Sequence, residues 1–354
     1  MNAFCTQSSV VVVAGKGGVG KSTLSATVAR LAARHGVSVL LVELEEKSGA
    51  SGLFGRHDLT SDEVELSVVT VDRGAGDRGP RSAPIRARTI TPDDALVDYL
   101  VDHGFGRLAS RLARSGMLDV AATAIPGLRD ILVLSKIVQL ERAHAADLIV
   151  VDGPAAGHAT TFLTSAHGLL DSSRAGPIHA QAADAVELLS DPARCQVVLV
   201  TLAEETPVNE TVETAFALED RVGTHLGPVV VNCLYPRLEY LDADPEAAAA
   251  AAGVTLRPGE ADAMRTAASF RRRRQEMQAE QATRLAEALP LPQLRLPHLF
   301  AGEIGLNEID LLVDAMETGL THVGEPADRA CWADPPEASG FEVPGPFAGA
   351  GASS

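Results

Sequence analysis

The segment that most constrains the fold is a glycine-rich turn near the start of the chain, residues 15–23, which reads GKGGVGKST. A run of mostly β-branched residues, Ser9–Ala14, precedes it and is typical of a strand buried on both faces. Apolar residues at helical spacing follow over Ser22–His35, and Gly36 then ends the helix. The sequence therefore predicts a strand, a tight turn and a helix in immediate succession.

This turn satisfies the pattern GxxxxGK[ST] in the strand–turn–helix context that identifies a phosphate-binding loop. Glycines let backbone N–H groups point inward at phosphate oxygens, and the helix adds its positive N-terminal end. In that role Lys21 reaches the β- and γ-phosphates, Ser22 ligates Mg²⁺ and Thr23 bonds the α-phosphate. We therefore predict ATP and Mg²⁺ as cofactors. The predicted nucleotide-binding residues of the loop are Gly15, Lys16, Gly17, Gly18, Val19, Gly20, Lys21, Ser22 and Thr23.

Lysine is rare in this chain, which has 26 arginines and four lysines: Lys16, Lys21, Lys47 and Lys136. Two of the four fall in the glycine-rich turn. Because arginine supplies nearly every other positive charge, the pattern indicates that lysine itself is needed at both positions. We predict that Lys21 is catalytic and that Lys16 has a role that arginine does not fill.

The remaining apolar runs predict a doubly wound, mostly parallel α/β sheet, since helical patterns lie between them. The predicted strands are Val37–Val42, Asp147–Val151, Gln196–Thr201, Pro228–Val231 and Leu294–Pro297. Residues 92–146 and 159–194 are helical in pattern and predict an inserted helical subdomain. The segment Gly74–Pro84 is rich in Gly, Arg and Pro and predicts a surface loop. We expect one ATPase domain over residues 1–321 and a disordered Pro/Gly/Ala-rich tail over residues 322–354.

A carboxylate follows one of these buried strands: Asp152 comes after four apolar residues, LIVV. At the end of a strand beside the phosphate loop, this carboxylate is placed to hold Mg²⁺ through water. A buried, unpaired aspartate would be costly, so the alternative is a structural cap. We predict Ser22 and Asp152 as the metal-binding residues.

These motifs together resemble a known family. The KGGxGK[ST] loop is similar to the "deviant" loop of the MinD, ParA, nitrogenase iron-protein and arsenite-pump ATPases. Residues 152–163 (DGPAAGHATTFL) resemble the DTAPTGHTxRFL switch of the ArsA family, which also contains the ATPase that targets tail-anchored membrane proteins. The resemblance implies that Lys16 is catalytic, crossing a dimer interface to the partner's phosphates as an arginine finger does, and that Gly157 approaches the γ-phosphate. His158 either reports the phosphate state or is a structural histidine.

Three further segments extend the resemblance. Pro228–Leu234 is similar to the strand whose terminal Asn reads adenine, which implies that Asn232 contacts the base; the alternative is an Asn that ends a strand in a turn. Leu202–Glu213 resembles the loop and helix that close over the nucleotide and meet the partner subunit. Phe270–Arg274 has a family counterpart, but a solvated helix face is favoured for it.

The chain departs from the family after the second strand. The family has a DPAH segment there, whereas this chain has ELEEKSG at residues 43–49. In register, Glu45 replaces the water-activating Asp and is predicted to be catalytic. Its carboxylate lies about one bond further out, and a misplacement of about 1 Å costs roughly 10²-fold in rate, so slow hydrolysis is expected. Glu43 is the alternative base or a second Mg²⁺ contact, and Lys47 could pair with either glutamate.

Net charge and hydropathy limit the cellular location and the binding partners to be expected. A net charge of −17 argues against sequence-independent binding of nucleic acid. The absence of an 18-residue apolar run and of a secretory signal favours the cytoplasm, with the inner face of the cell membrane as an alternative. The four cysteines include no CxxC pair and suit reduced thiols.

The resemblance leaves the coupled process open. We favour an ATP-driven dimeric regulator that pairs with itself or with a paralogous ATPase, because the ELEEKSG segment resembles an actinobacterial branch of the family. The alternatives are a factor that targets membrane proteins, a subunit of an arsenite-transport ATPase, and a hydrolysis-poor partner of a paralogous ATPase. Targeting would need an apolar groove, for which the candidates are Leu96, Val97, Leu100, Phe105, Leu108, Leu112, Met117, Leu118 and Val120, although such positions are more often core.

Overall fold

The computed structural model describes residues 2–44, 49–71, 81–102, 104–107 and 127–322 of the chain. The strands are β1 (Val10–Gly15), β2 (Val39–Glu43), β3 (Val64–Val71), β4 (Arg81–Thr89), β5 (Leu148–Ala155), β6 (Cys195–Leu202), β7 (Val229–Leu234) and β8 (Gln293–Pro297). The helices are α1 (Asn2–Thr6), α2 (Lys21–Arg34), α3 (Pro92–Asp102), α4 (Leu128–Arg142), α5 (Ala156–Ser172), α6 (Pro177–Ser190), α7 (Glu205–Val222), α8 (Pro245–Ala251), α9 (Glu260–Ala288) and α10 (Leu306–Thr321), with a short 3-10 turn at Ser51–Phe54.

The eight described strands form one sheet in the order β3-β4-β2-β5-β1-β6-β7-β8. Among them, only β3 is antiparallel to its neighbour; the other pairs are parallel. The predicted doubly wound, mostly parallel sheet is confirmed, and each predicted strand is present. Central strands such as β1 are buried along their whole length, which explains why they read as unbroken apolar runs.

The pair β3 and β4 was not predicted, and the predicted surface loop Gly74–Pro84 is wrong over Arg81–Pro84, which begins β4. Within β4 the small or apolar residues Ala83, Ile85 and Ala87 are buried, and alternate residues are half-buried. Those alternate positions hold Pro and Arg, so the period of two was hidden by residues that are rare in strands. Pairing with β2 and β3 on either side fixes the segment in spite of its local composition.

Helices cover both faces of the sheet. The predicted helical stretches contain α3, α4, α5 and α6, and their apolar residues join one face of the sheet in a single core cluster. Leu96 is buried in this cluster, and Val97 and Leu100 pack against it, so the core interpretation of the candidate groove is confirmed for these three. Phe105 is exposed, and the candidates from Leu108 to Val120 lie outside the described residues.

The opposite face is covered by α2 and α10, whose apolar residues form a second cluster with alternate residues of the same strands. The predicted tail over residues 322–354 lies outside the described residues except for His322. Among the helices that the structure describes, none is both long and apolar enough to cross a bilayer.

Candidate nucleotide site

The phosphate loop lies where the sequence predicted, between the end of β1 at Gly15 and the start of α2 at Lys21. Gly18 and Gly20 have φ angles of +83° and +97°, the left-handed region that favours glycine. At Gly20 space is also limiting, because an added Cβ would lie 2.3 Å from the side-chain nitrogen of Asn232. Any other residue at position 20 would meet both obstacles.

The two lysines of the loop face different partners. Lys21 donates from Nζ to the backbone oxygen of Lys16, 3.3 Å away, so its side chain folds back over the loop. Lys16 turns outward, and its Nζ lies 2.6 Å from Oε1 of Glu210 on α7. The Lys16 and Glu210 side chains are 35% and 37% exposed, so this ion pair lies at the surface. The structure therefore brings the predicted nucleotide-closing helix into contact with the loop through Lys16.

Asp152 lies at the centre of the site because β5 runs between β1 and β2. In register, it lies beside Val13 of β1 and Glu43 of β2. Its Oδ1 accepts a hydrogen bond of 3.1 Å from Oγ of Ser25 on α2, and Ser22 is a second hydrogen-bond partner. Only 9% of Asp152 is exposed.

Burial raises the pKa of Asp152 to about 6, although the hydrogen bonds from Ser22 and Ser25 act in the opposite direction. The nearby carboxylate of Glu43 raises this pKa further, while Lys21 lowers it. A buried carboxylate with a raised pKa lacks a full positive counter-charge. Hydroxyl and carboxylate oxygens are the donors that Mg²⁺ prefers, so Ser22 and Asp152 fit the predicted cation.

Glu43 ends β2 beside Asp152 and is only 2% exposed. Its Oε1 accepts a hydrogen bond of 2.6 Å from the backbone nitrogen of Ser51, and its Oε2 accepts one of 3.2 Å from the backbone nitrogen of Gly49. Both carboxylate oxygens are thus engaged by the backbone that follows β2. Glu45 and Lys47 lie outside the described residues.

Asn232 makes a contact that the sequence did not reveal. It lies within β7, paired with Leu202 of β6, rather than at the end of the strand. Its Nδ2 donates a hydrogen bond of 2.9 Å to the backbone oxygen of Val19, and the residue is buried. Asn232 therefore holds the phosphate loop, and the adenine contact stays a prediction.

The arginines of Phe270–Arg274 are not a uniformly solvated face, so that interpretation is wrong for two of them. The guanidinium of Arg271 stacks on the ring of Tyr235, with 4.5 Å between its central carbon and the ring centroid. Arg274 forms a 2.6 Å ion pair with Glu204, just before α7. The reason is tertiary, since β7 leads into Tyr235 and the turn before α7 presents Glu204. Arg271 therefore ties α9 to the end of β7, and Arg274 ties it to the start of α7.

The switch segment falls partly within the described residues. The backbone of Gly157 lies in the first turn of α5, while the side chain of His158 is outside the described residues. Phe162 and Leu163, which carried part of the family resemblance, are buried in the core. The start of α5 directly follows β5, and therefore follows Asp152 closely along the chain.

Comparison with known proteins agrees with this architecture. Residues 10–294 match the CobQ/CobB/MinD/ParA nucleotide binding domain. ATPase BagA of Mycobacterium tuberculosis is 34% identical over 312 residues, which cover 82% of this chain and 87% of that protein. A Halobacterium salinarum protein assigned as an arsenical pump-driving ATPase is 26% identical over 326 residues, which cover 88% of this chain and 44% of that protein.

A shorter match is found with ATPase GET3 of Chaetomium globosum, which is 26% identical over 154 residues that cover 43% of this chain and 41% of that protein. The domain match over residues 10–294 includes the phosphate loop, Asp152 and Asn232, the positions around which the site is built. The chain therefore belongs to the CobQ/CobB/MinD/ParA nucleotide-binding domain family and, within it, to the ArsA-like P-loop ATPases.

Proposed function

We propose that this chain binds Mg·ATP, hydrolyses it slowly, and works as a dimer in which Lys16 of each subunit completes the phosphate site of its partner. The observation that carries the proposal is the opposite direction of the two loop lysines. Lys21 folds over its own loop, whereas Nζ of Lys16 points out to Glu210. A second lysine that leaves its own loop is available to another subunit.

Different residues of the chain would bind different parts of Mg·ATP. The loop N–H groups and Lys21 would hold the β- and γ-phosphates, and Ser22 and Asp152 would hold Mg²⁺, which when bound offsets charge on the phosphate oxygens. Gly157 would approach the γ-phosphate from the first turn of α5. Glu45 would orient and deprotonate the attacking water, and its longer side chain is the reason for slow turnover.

When the proposed dimer closes, Lys16 must leave Glu210 and bind the phosphates held by the partner subunit. Its present partner is a single exposed carboxylate, and exposed ion pairs of this kind contribute only about 0–1 kcal/mol. The triphosphate of a partner subunit carries more charge in a drier site, where charge–charge interactions are stronger. Release of Glu210 therefore costs little compared with what Lys16 would gain.

The test uses Lys16→Ala in a light-scattering measurement with ADP and aluminium fluoride, which mimic the transition state. We expect the wild type to dimerise and the variant to remain monomeric while still binding ATP. Turnover should fall by about 10³-fold, the lower end of the range for cationic fingers. Lys136→Ala is the matched control, because Lys136 pairs with Asp98 away from the loop. A Lys16→Ala protein that still dimerises on demand would contradict the dimeric part of the proposal.

The coupled partner remains part of the proposal: a second copy of the chain or a paralogous ATPase, in the cytoplasm, with a membrane-protein cargo as the alternative. Co-purification with a hydrolysis-blocked variant separates these, since a sister ATPase supports the regulator and hydrophobic membrane segments support targeting. Arsenite transport gains no support from the described cysteines. Burial raises the pKa of Cys5 and of Cys195 to about 12, and no group of three or more His, Cys, Asp or Glu in the described part of the chain could hold a metal ion.

A further inference from the structure

We infer that Glu43 and Gly49 are positioning residues for the magnesium site: Glu43 fixes the backbone after β2 so that Gly49 lies directly against Ser22 and Asp152. The inference rests on the proposed function, because it concerns the same Mg·ATP site. It assigns to Glu43 an anchoring role in place of direct catalysis or metal binding. It also gives Gly49 a steric role.

The anchoring role follows from how the Glu43 carboxylate is used. Its two oxygens accept hydrogen bonds from the backbone nitrogens of Ser51 and Gly49, at 2.6 and 3.2 Å. Glu43 is nearly inaccessible, and a buried carboxylate is tolerated only when its oxygens have donors. Hydrogen bonds to a charged acceptor are roughly twice as strong as neutral ones. The position of the following backbone is therefore set by this one side chain.

The steric role follows from the space around Gly49. A Cβ added there would lie 2.8 Å from Oδ2 of Asp152 and 2.9 Å from Oγ of Ser22. These are the two predicted metal ligands. Gly49 is not among the glycines with positive φ, so its backbone conformation is one that other residues also adopt. The lack of a side chain is needed here for room.

The hydrogen bonds to Glu43 and the limited space at Gly49 are parts of one structural arrangement. Glu43 draws the nitrogen of Gly49 toward the end of β2, which lies in register with Asp152 on β5. A displaced Gly49 would leave the metal ligands unsupported, and a larger residue would push them out of place.

The experiment measures ATP affinity by calorimetry with Mg²⁺ and with EDTA, for the wild type, Gly49→Ala and Glu43→Gln. We expect Gly49→Ala to lower the Mg²⁺-dependent gain in affinity by about 10–100-fold, the usual cost of disturbing residues behind metal ligands. Affinity in EDTA should stay within about twofold, since the loop N–H groups and Lys21 are untouched. Glu43→Gln should act in the same direction, because its amide nitrogen cannot accept a backbone N–H. Its effect should be smaller, because the amide oxygen still can. Binding of Mn²⁺ by electron paramagnetic resonance gives a second readout that does not depend on turnover.

Gly168→Ala is the control for replacing glycine by alanine, because a Cβ there meets no heavy atom of the described residues within 4 Å. A Gly49→Ala protein with the wild-type Mg²⁺ dependence would overturn the inference. If Glu43→Gln fails to fold, Gly49→Ala still decides the matter. A wild-type protein that shows no Mg²⁺-dependent ATP binding would instead contradict the proposed function, so the two failures are distinguishable.

Discussion

Two loops meet at Asp152, and they are held by different means. The phosphate loop follows β1 and is shaped mainly by its own backbone, with glycines at positive φ, a helix that begins directly after it and one hydrogen bond from the side chain of Asn232. The segment after β2 is held by a side chain, Glu43, which binds two backbone nitrogens further along. The first loop carries its structure in a local motif, and the second depends on one acid and on the room beside its glycine.

The largest effect is expected for Lys21→Ala in the phosphate loop. Lys21→Ala removes the cation that folds over the loop, and we expect ATP affinity measured by calorimetry to fall by about 100-fold or more. The physical reason is the loss of charge-assisted hydrogen bonds to phosphate, each worth roughly 1.5–3 kcal/mol. The fold should be unaffected, because Lys21 is only half-buried at the start of α2.

Lys136→Ala again serves as the control, since it removes the same charge from α4. If Lys21→Ala bound ATP as tightly as Lys136→Ala, then residues 15–23 would not be a nucleotide loop. The comparison of the two loops would then no longer include a phosphate loop.

The same contrast explains how much of the fold could be predicted. Strands buried on both faces, such as β1 and β5, read as unbroken apolar runs, and the pattern found each of them. The pair β3 and β4 lies toward one edge of the sheet, where Pro84 and Arg86 occupy the less buried positions. Its pairing is decided by neighbours distant in sequence, and local composition cannot report that.

The site residues also differ in whether a local motif or a contact between distant residues places them. The loop residues and Asp152 could be proposed from the sequence because each belongs to a strand and the turn or terminus that follows it. The hydrogen bond from Asn232 to Val19 joins residues that are 213 positions apart, and no spacing in the sequence announces it. The roles of Glu43 and Gly49 depend on a distance across two strands, so the residue pattern made Glu43 a candidate but could not choose its role.

The second prediction sharpens the comparison at the residue that the two loops share. In EDTA at pH 8, Asp152→Asn should raise the free energy of unfolding by about 1–3 kcal/mol, measured by urea denaturation. A pKa raised from 3.8 to about 6 means that ionised Asp152 opposes folding, and a tenfold change in proton affinity corresponds to about 1.36 kcal/mol. The same change should lower the Mg²⁺-dependent gain in ATP affinity by about 10–100-fold, because the proposed metal ligand loses its charge.

The sign of the pH dependence provides the check. Ionisation of Asp152 opposes folding fully above about pH 6, progressively less as the pH falls, and not at all below the unfolded pKa near 3.8. The stabilisation by Asp152→Asn should therefore shrink between pH 8 and pH 5. A variant that is less stable than the wild type at pH 8 in EDTA would show that Asp152 holds the two loops together even without a metal.

The smallest expected effect concerns the ion pair between Lys16 of the phosphate loop and Glu210 of α7. Glu210→Gln removes the charge that holds Lys16 in its own subunit, and exposed pairs of this kind are worth about 0–1 kcal/mol. We expect ATP-dependent dimerisation, followed by analytical ultracentrifugation, to strengthen by up to about fivefold, because Lys16 no longer has to leave an ion pair. Glu213→Gln removes an equal charge from an exposed position on the same helix and should leave dimerisation unchanged. Weaker dimerisation in Glu210→Gln alone would mean that Glu210 contributes to the closed dimer itself, so that the function of Lys16 depends on a residue almost two hundred positions away.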